Sequence, residues 1–143
     1  MENGSVALRE VYPVCSGDFA AAGEASRKIK ALLKKLGVDS GVVRRVSIAA
    51  YEVELNLVIH SLGGEMELVV RPDYLFLNVR DVGPGIPDID LAMQEGYSTA
   101  SDDVRMMGFG AGMGLPNMKR NATSFTIHSE AGVGTTIEMG FKL

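Results

Sequence analysis

Four apolar residues, Ile29, Leu32, Leu33 and Leu36, recur at the i, i+3, i+4, i+7 spacing of one helical face. Asp18 stands upstream as an N-cap and Gly37 follows as a stop, which predicts a first helix between them. Asp39 is placed to cap a second helix reaching about residue 62, closed by Gly63 and Gly64. The pattern then changes period. Met66, Leu68 and Val70 alternate with Glu65, Glu67 and Arg71, as in a half-buried strand. Pro72 and Asp73 supply a turn, and residues 74–80 return as the second arm of a hairpin. Residues 6–11 suit a first strand ended by Pro13 and Gly17, and a short helix is expected over 115–121. A final hairpin is expected from 124–130 and 135–143 around Gly132 and Gly134. Two long helices with about five hairpin-paired strands predict a two-layer α/β sandwich. Its helices would pack on one face of a mixed, largely antiparallel sheet, with residues 1–143 forming one domain.

Composition narrows the function classes without naming one. The 143 residues are 46% hydrophobic and 22% charged, ordinary for a soluble globular chain. A net charge of -4 gives no reason to expect nucleic acid or an anionic membrane as partner. The single cysteine, Cys15, cannot form an internal disulfide and reads as a small buried hydrophobe in a reducing cytoplasm. No signal peptide and no membrane span are expected, because no run of about 18 apolar residues exists.

Three segments carry candidate chemistry. On the second helix, at about 100° per residue, Glu52, Asn56 and His60 form one stripe set into an apolar face. A carboxylate there can accept a hydroxyl proton, and an amide oxygen suits a hard cation such as Mg²⁺. Glu54 is turned by about 200° from Glu52 and reads as an ordinary solvated acid. Taken alone, the stripe also describes a polar face that bonds the next loop. The second segment, Asp81-Val82-Gly83-Pro84-Gly85-Ile86, follows a strand directly. An aspartate at a strand end can accept the amino proton of adenine, while the same residues also describe a tight surface turn. The third segment, Gly108-Phe109-Gly110-Ala111-Gly112-Met113-Gly114-Leu115, runs into a helix at Pro116. Glycines ending on a helix N-terminus present free N–H groups to a phosphate. No Gly-Lys-Ser/Thr closes the run, so it is not a P-loop.

The ordered set Glu52-x-x-x-Asn56, Asp81-x-Gly83-x-Gly85, Gly110-x-Gly112-x-Gly114-Leu115 and Gly134-Thr135-Thr136 resembles the motif boxes of the GHKL, or Bergerat-fold, ATPases. Within that superfamily the chain is most similar to stand-alone anti-sigma-factor and switch serine/threonine kinases. The resemblance implies that Glu52 orients or deprotonates the attacking hydroxyl and that Asn56 binds Mg²⁺. It implies that Asp81 reads adenine, with Gly83, Gly85 and Ile86 shaping the pocket and Thr135 supporting Asp81. Gly110, Gly112, Gly114 and Leu115 would cradle the phosphates of ATP, with Arg105 as a further phosphate contact. Residues 88–108 would form an ATP lid whose tip carries Ser98, Thr99, Ser101, Asp102 and Asp103. Lys119, Arg120 and His128 read as exposed polar residues. The implied activity is ATP-dependent phosphorylation of a protein antagonist of the STAS type, by an anti-sigma or switch factor. The other reading is an ATP-gated binding module that sequesters or activates a sigma factor or another partner. Some kinases of this kind are homodimers.

Overall fold

A computed structural model describes residues 8–83, 89, 93, 94 and 114–143, and of His60 the main chain only. β1 (Leu8–Val14) leads through a 3-10 turn (Phe19–Ala21) to α1 (Glu24–Lys35) and α2 (Ser40–His60). The hairpin β2 (Gly64–Val70) and β3 (Tyr74–Asp81) follows, and α3 (Gly114–Asn121) precedes the closing hairpin of β4 (Ser124–Glu130) and β5 (Gly134–Lys142). The five strands lie in the order β1-β2-β3-β5-β4, and all four pairings are antiparallel. Alternation along the strands sends Met66, Leu68, Leu75, Leu77, Met139 and Phe141 to one face, where each is fully buried. Ile29 and Leu33 of α1, Val46, Val53 and Leu57 of α2, and Met118 of α3 complete that core. The expected α/β sandwich is therefore formed. The opposite sheet face carries polar side chains, among them Glu67, which accepts from Arg9 Nε at 2.6 Å and from Asn78 Nδ2 at 3.1 Å. No helix among the described residues is long and apolar enough to cross a membrane.

Three local expectations are corrected. β1 runs through Pro13 to Val14 instead of ending before it, with Leu8 opposite Val70 and Val14 opposite Gly64. It is an edge strand, bonded on one side only, so a residue without an N–H is tolerated there. Asp18 caps the 3-10 turn, accepting from Ala21 N–H at 3.3 Å, and not the first helix. α1 begins at Glu24 behind Gly23, whose φ of +96° is left-handed and which has no side chain to offer as a cap.

The cap comes instead from Glu54 of α2. Its Oε2 accepts the N–H groups of Gly23 (3.0 Å) and Ala25 (3.1 Å), and its Oε1 accepts that of Ser26 (2.9 Å). At 2% exposure Glu54 is not a solvated acid. The helical angle was read correctly, but the face opposite Glu52 is covered by α1, and only tertiary packing decides that. Three free N–H groups and the positive end of the α1 dipole satisfy a buried carboxylate that would otherwise be costly. Cys15 likewise departs from expectation: it is exposed, because it falls just beyond the last residue of β1.

Candidate functional site

α2 is held in place at both ends. Asp39 Oδ2 accepts from the N–H of Gly41 (3.0 Å) and Val42 (3.3 Å) at its start. At its end, Ser61 Oγ donates to Leu57 O at 2.6 Å and accepts from Gly63 N–H at 2.9 Å. Main-chain bonds then join three loops: Leu62 N–H to Val82 O (2.7 Å), Val82 N–H to Gly63 O (3.0 Å) and Gly83 N–H to Val133 O (3.1 Å). The end of α2, the end of β3 and the β4–β5 turn are thereby fixed together. Ser16 Oγ ties the segment after β1 to the same corner through Ser61 O at 2.6 Å.

Around this corner the structure gathers most of the expected residues that it describes. Glu52 and Asn56, both half-buried, face the first residue of α3. The ideal Cβ position of Gly114 lies 3.5 Å from Asn56 Oδ1 and 3.8 Å from Glu52 Oε1. Gly114 thus sets its main chain directly on the carboxylate–amide stripe. Leu115 is 6% exposed and its side chain belongs to the core, so only its main chain is available to a ligand. Pro116 and Met118 are buried with it, which packs α3 against α2.

Asp81 ends β3 and is held by β5. Thr135 donates its main-chain N–H to Asp81 Oδ1 at 2.7 Å, so the expected support of Asp81 by Thr135 is direct and comes from the backbone. The Thr135 hydroxyl is engaged elsewhere, 3.1 Å from Ser129 Oγ. Gly134 is required beside it: a Cβ there would stand 2.3 Å from Asp81 O and 2.9 Å from Asp81 Oδ1, and its φ is +153°. Burial pushes the Asp81 carboxyl above the usual aspartate range, opposed by the hydrogen bond from Thr135. Gly83 packs its Cα face toward Ser61, where a Cβ would meet Ser61 Cα at 3.2 Å. An apolar groove lined by Leu8, Leu36, Val42, Val70 and Leu143 lies at the other end of the sheet, away from these groups.

Gly85, Ile86, Arg105, Gly110 and Gly112 fall outside the described residues, as does the side chain of His60. So does the expected lid over 88–108, apart from Ile89, Met93 and Gln94; Met93 packs against the core. Lys119, Arg120 and His128 are exposed, as expected. One residue near the site was missed. Asn117 Nδ2 donates to Glu52 Oε2 at 2.7 Å, a contact across 65 residues of chain. Its only sequence signal is position: it lies three residues past Gly114, on the same side of a helix.

No three His, Cys, Asp or Glu side chains cluster as a metal cage among the described residues. Mg²⁺ bound with a nucleotide needs no such cage, since it keeps waters and phosphate oxygens and takes one or two protein oxygens. The Asn56 amide oxygen beside Gly114 fits that requirement.

The family model of histidine kinase-, DNA gyrase B- and HSP90-like ATPases matches residues 41–143, a span that holds every site residue described above. The chain is 32% identical over 125 residues to the serine/threonine-protein kinase RsbT of Bacillus subtilis (strain 168), covering 85% of this chain and 86% of that protein. It is 25% identical over 115 residues to the anti-sigma F factor of Geobacillus stearothermophilus, covering 76% and 75% of the two chains. The anti-sigma F factor of Geobacillus kaustophilus (strain HTA426) matches at the same identity and coverage. By motif, fold and similarity, the chain belongs to the histidine kinase-, DNA gyrase B- and HSP90-like ATPase family.

Proposed function

We propose that this chain is a serine/threonine protein kinase acting as a regulatory switch or anti-sigma factor, which moves the γ-phosphoryl group of ATP to a partner protein. The observation that carries the reading is that Glu52 Oε1 and Asn56 Oδ1 both face Gly114, 3.8 and 3.5 Å from its ideal Cβ position. A pure nucleotide binder has little need of a carboxylate where a nucleophile would arrive. The similarity to a protein named as a serine/threonine kinase supports the same choice. The similarity to two anti-sigma factors supports a regulatory protein as acceptor, which we take to be a STAS-domain antagonist. A cytoplasmic, single-domain chain, able to pair with a second copy, fits this role.

The placement of the residues supports the following roles. Asp81, aimed by Thr135 N–H, accepts the 6-amino proton of adenine, where guanine presents a carbonyl oxygen. The first turn of α3 offers the main-chain N–H groups of Gly114 and Leu115 and its positive dipole end to the phosphates. Asn56 would hold Mg²⁺ through its amide oxygen, and the ion when bound would supply charge stabilisation to the phosphates. Glu52 accepts the proton of the serine or threonine hydroxyl. That oxygen forms the new bond to the γ-phosphorus as the bond to the β–γ bridging oxygen breaks, and ADP departs.

The test is labelling of purified STAS-domain proteins from the same genome with Mg-[γ-³²P]ATP. Wild type is expected to label one of them on serine or threonine. Glu52→Gln is expected to keep ATP affinity and lose on the order of 10²-fold or more in transfer rate. Asn56→Ala is expected to weaken Mg-ATP binding itself. Transfer by Glu52→Gln at the wild-type rate would overturn the role of Glu52. ATP-dependent capture of a partner that is never labelled would favour the binding-module reading.

A further inference from the structure

We infer that Asn117 is a positioning residue for Glu52, fixing which carboxylate oxygen is free to take the acceptor's proton. The inference rests on the reading of Glu52 as the proton acceptor and adds a group outside the four motif boxes. Three distances make the case. Asn117 Nδ2 donates to Glu52 Oε2 at 2.7 Å, a length typical of a hydrogen bond to a charged acceptor. Arg120 Nη1 donates to Asn117 Oδ1 at 3.0 Å. The far oxygen of Glu52, Oε1, is the one 3.8 Å from the ideal Cβ position of Gly114.

The donors and acceptors set the direction of this chain. An ionised carboxylate only accepts, and a guanidinium only donates. The amide of Asn117 must therefore turn its oxygen to Arg120 and its nitrogen to Glu52. With Oε2 occupied, rotation of the Glu52 carboxylate is arrested, and its remaining oxygen points at the place where Gly114 and Asn56 meet. Asn117 also accepts from Asn121 Nδ2 through its main-chain oxygen at 2.8 Å, so its own turn of α3 is braced. Asn117 lies one helical turn beyond Gly114. The turn of helix that would face the phosphates thus also aims the base, and both move as one body.

A half-buried carboxylate without this bond would sample several rotamers, and misplacement of a reacting group by about 1 Å can cost on the order of 10²-fold in rate. Asn117→Asp is the sharpest variant, since it keeps the shape and the acceptor for Arg120 while removing the donor to Glu52. Asn117→Ala removes both.

The experiment measures Mg-ATP turnover by the full chain as ADP release, alone and with the STAS-domain acceptor identified by labelling, with thermal unfolding as a check on folding. Both Asn117 variants are expected to lower kcat about tenfold or more with KM for ATP within about twofold. Placed on Glu52→Gln, Asn117→Ala is expected to cause no further loss, because it acts only through Glu52. A merely structural role would instead reduce the double variant additively or move KM and unfolding temperature together. Wild-type kcat in folded Asn117→Asp, with Glu52→Gln slow, would overturn the inference and leave the role of Glu52 standing. If Glu52→Gln itself turns over at the wild-type rate, the role of Glu52 fails and the inference with it.

Discussion

Replacing Glu54 by alanine removes the acceptor of three main-chain N–H groups at the start of α1, at 2.9, 3.0 and 3.1 Å. A hydrogen bond to a charged group contributes about 1.5–3 kcal/mol net, and a donor left buried without a partner costs about 1–3 kcal/mol. The three contributions do not add fully, because Gly23 and Ala25 share Oε2 and some water can enter the truncated site. A loss of about 3–5 kcal/mol is the result, a large part of the roughly 5–15 kcal/mol by which a domain is stable. Glu54→Gln should cost less, about 1–3 kcal/mol. It retains one acceptor but turns an amide donor toward N–H groups that also donate. Urea unfolding should show both as lower midpoints with an unchanged slope, and amide exchange should rise first at the start of α1. Glu52→Gln, on the other face of the same helix, should shift stability by under about 1 kcal/mol. If both Glu54 variants unfold within about 0.5 kcal/mol of wild type, the carboxylate is not the cap of α1.

Further outcomes follow from the Asp81 corner. Asp81→Ala should weaken ATP binding tenfold or more, since it removes a contact worth about 1–3 kcal/mol, while wild type should bind GTP far more weakly than ATP; equal calorimetric affinities for the two nucleotides would exclude the adenine contact. Burial raises the Asp81 carboxyl in the folded state, so its ionised form costs stability. That cost is absent below the unfolded pKa, grows as pH rises between the two values and is complete above the folded one. Asp81→Asn, which keeps an oxygen for Thr135 N–H, should therefore melt higher than wild type at neutral pH, with the gain shrinking as pH falls; a gain independent of pH would contradict this. Gly134→Ala should cost more than about 1 kcal/mol and weaken ATP binding, because its Cβ would press on Asp81; unchanged unfolding and affinity would refute the close approach. Thr135→Ala should leave ATP affinity within about threefold, because the bond to Asp81 comes from the main chain and the lost Ser129 contact contributes only about 0.5–1.5 kcal/mol; a tenfold loss by calorimetry would point to a ligand contact by the hydroxyl.

The pattern of apolar positions was enough for α2, both hairpins and α3, because each is bounded by local signals. Asp39 caps α2, Pro72 and Asp73 turn the first hairpin, and Gly132 with Gly134 turn the second. Such signals act within a few residues and are visible in one dimension. What could not be read was which elements lie against each other. Asp18 looked like the cap of α1 because it is a good cap residue upstream of an apolar stripe. The 3-10 turn intervenes, and the real cap is 28 to 31 residues away. Pro13 looked like a strand terminator, and β1 escapes that rule only by being at an edge. In the candidate site, local spacing places Glu52 and Asn56 on one helical stripe and Asp81 at a strand end, while their proposed roles come from the motif resemblance alone. Asn117 was not legible locally, since its partner is 65 residues distant.

Glu52 and Glu54 show why the two acids of one helix have separate fates. α2 is the central helix, with α1 on one side and α3 on the other, so Glu54 is buried while Glu52 stays half-exposed. Glu54 meets the N-terminus of a helix whose first N–H groups need an acceptor, and all of its hydrogen-bonding capacity on Oε2 and part of that on Oε1 is used in holding α1. It has no proton-accepting task left to perform. Among the described residues, Glu52 meets a single amide donor on one oxygen, beside a residue with no side chain. The difference between a structural and a reactive carboxylate is then one of unused lone pairs, set by what the neighbouring helix presents. Around Asp81 the same economy appears in another form. The loops there are joined by main-chain bonds, and Asp81 itself is held by a main-chain N–H. Main-chain bonds thus carry much of the frame, the hydroxyls of Ser16 and Ser61 brace it, and glycine at 134 cannot be replaced without pressing on Asp81.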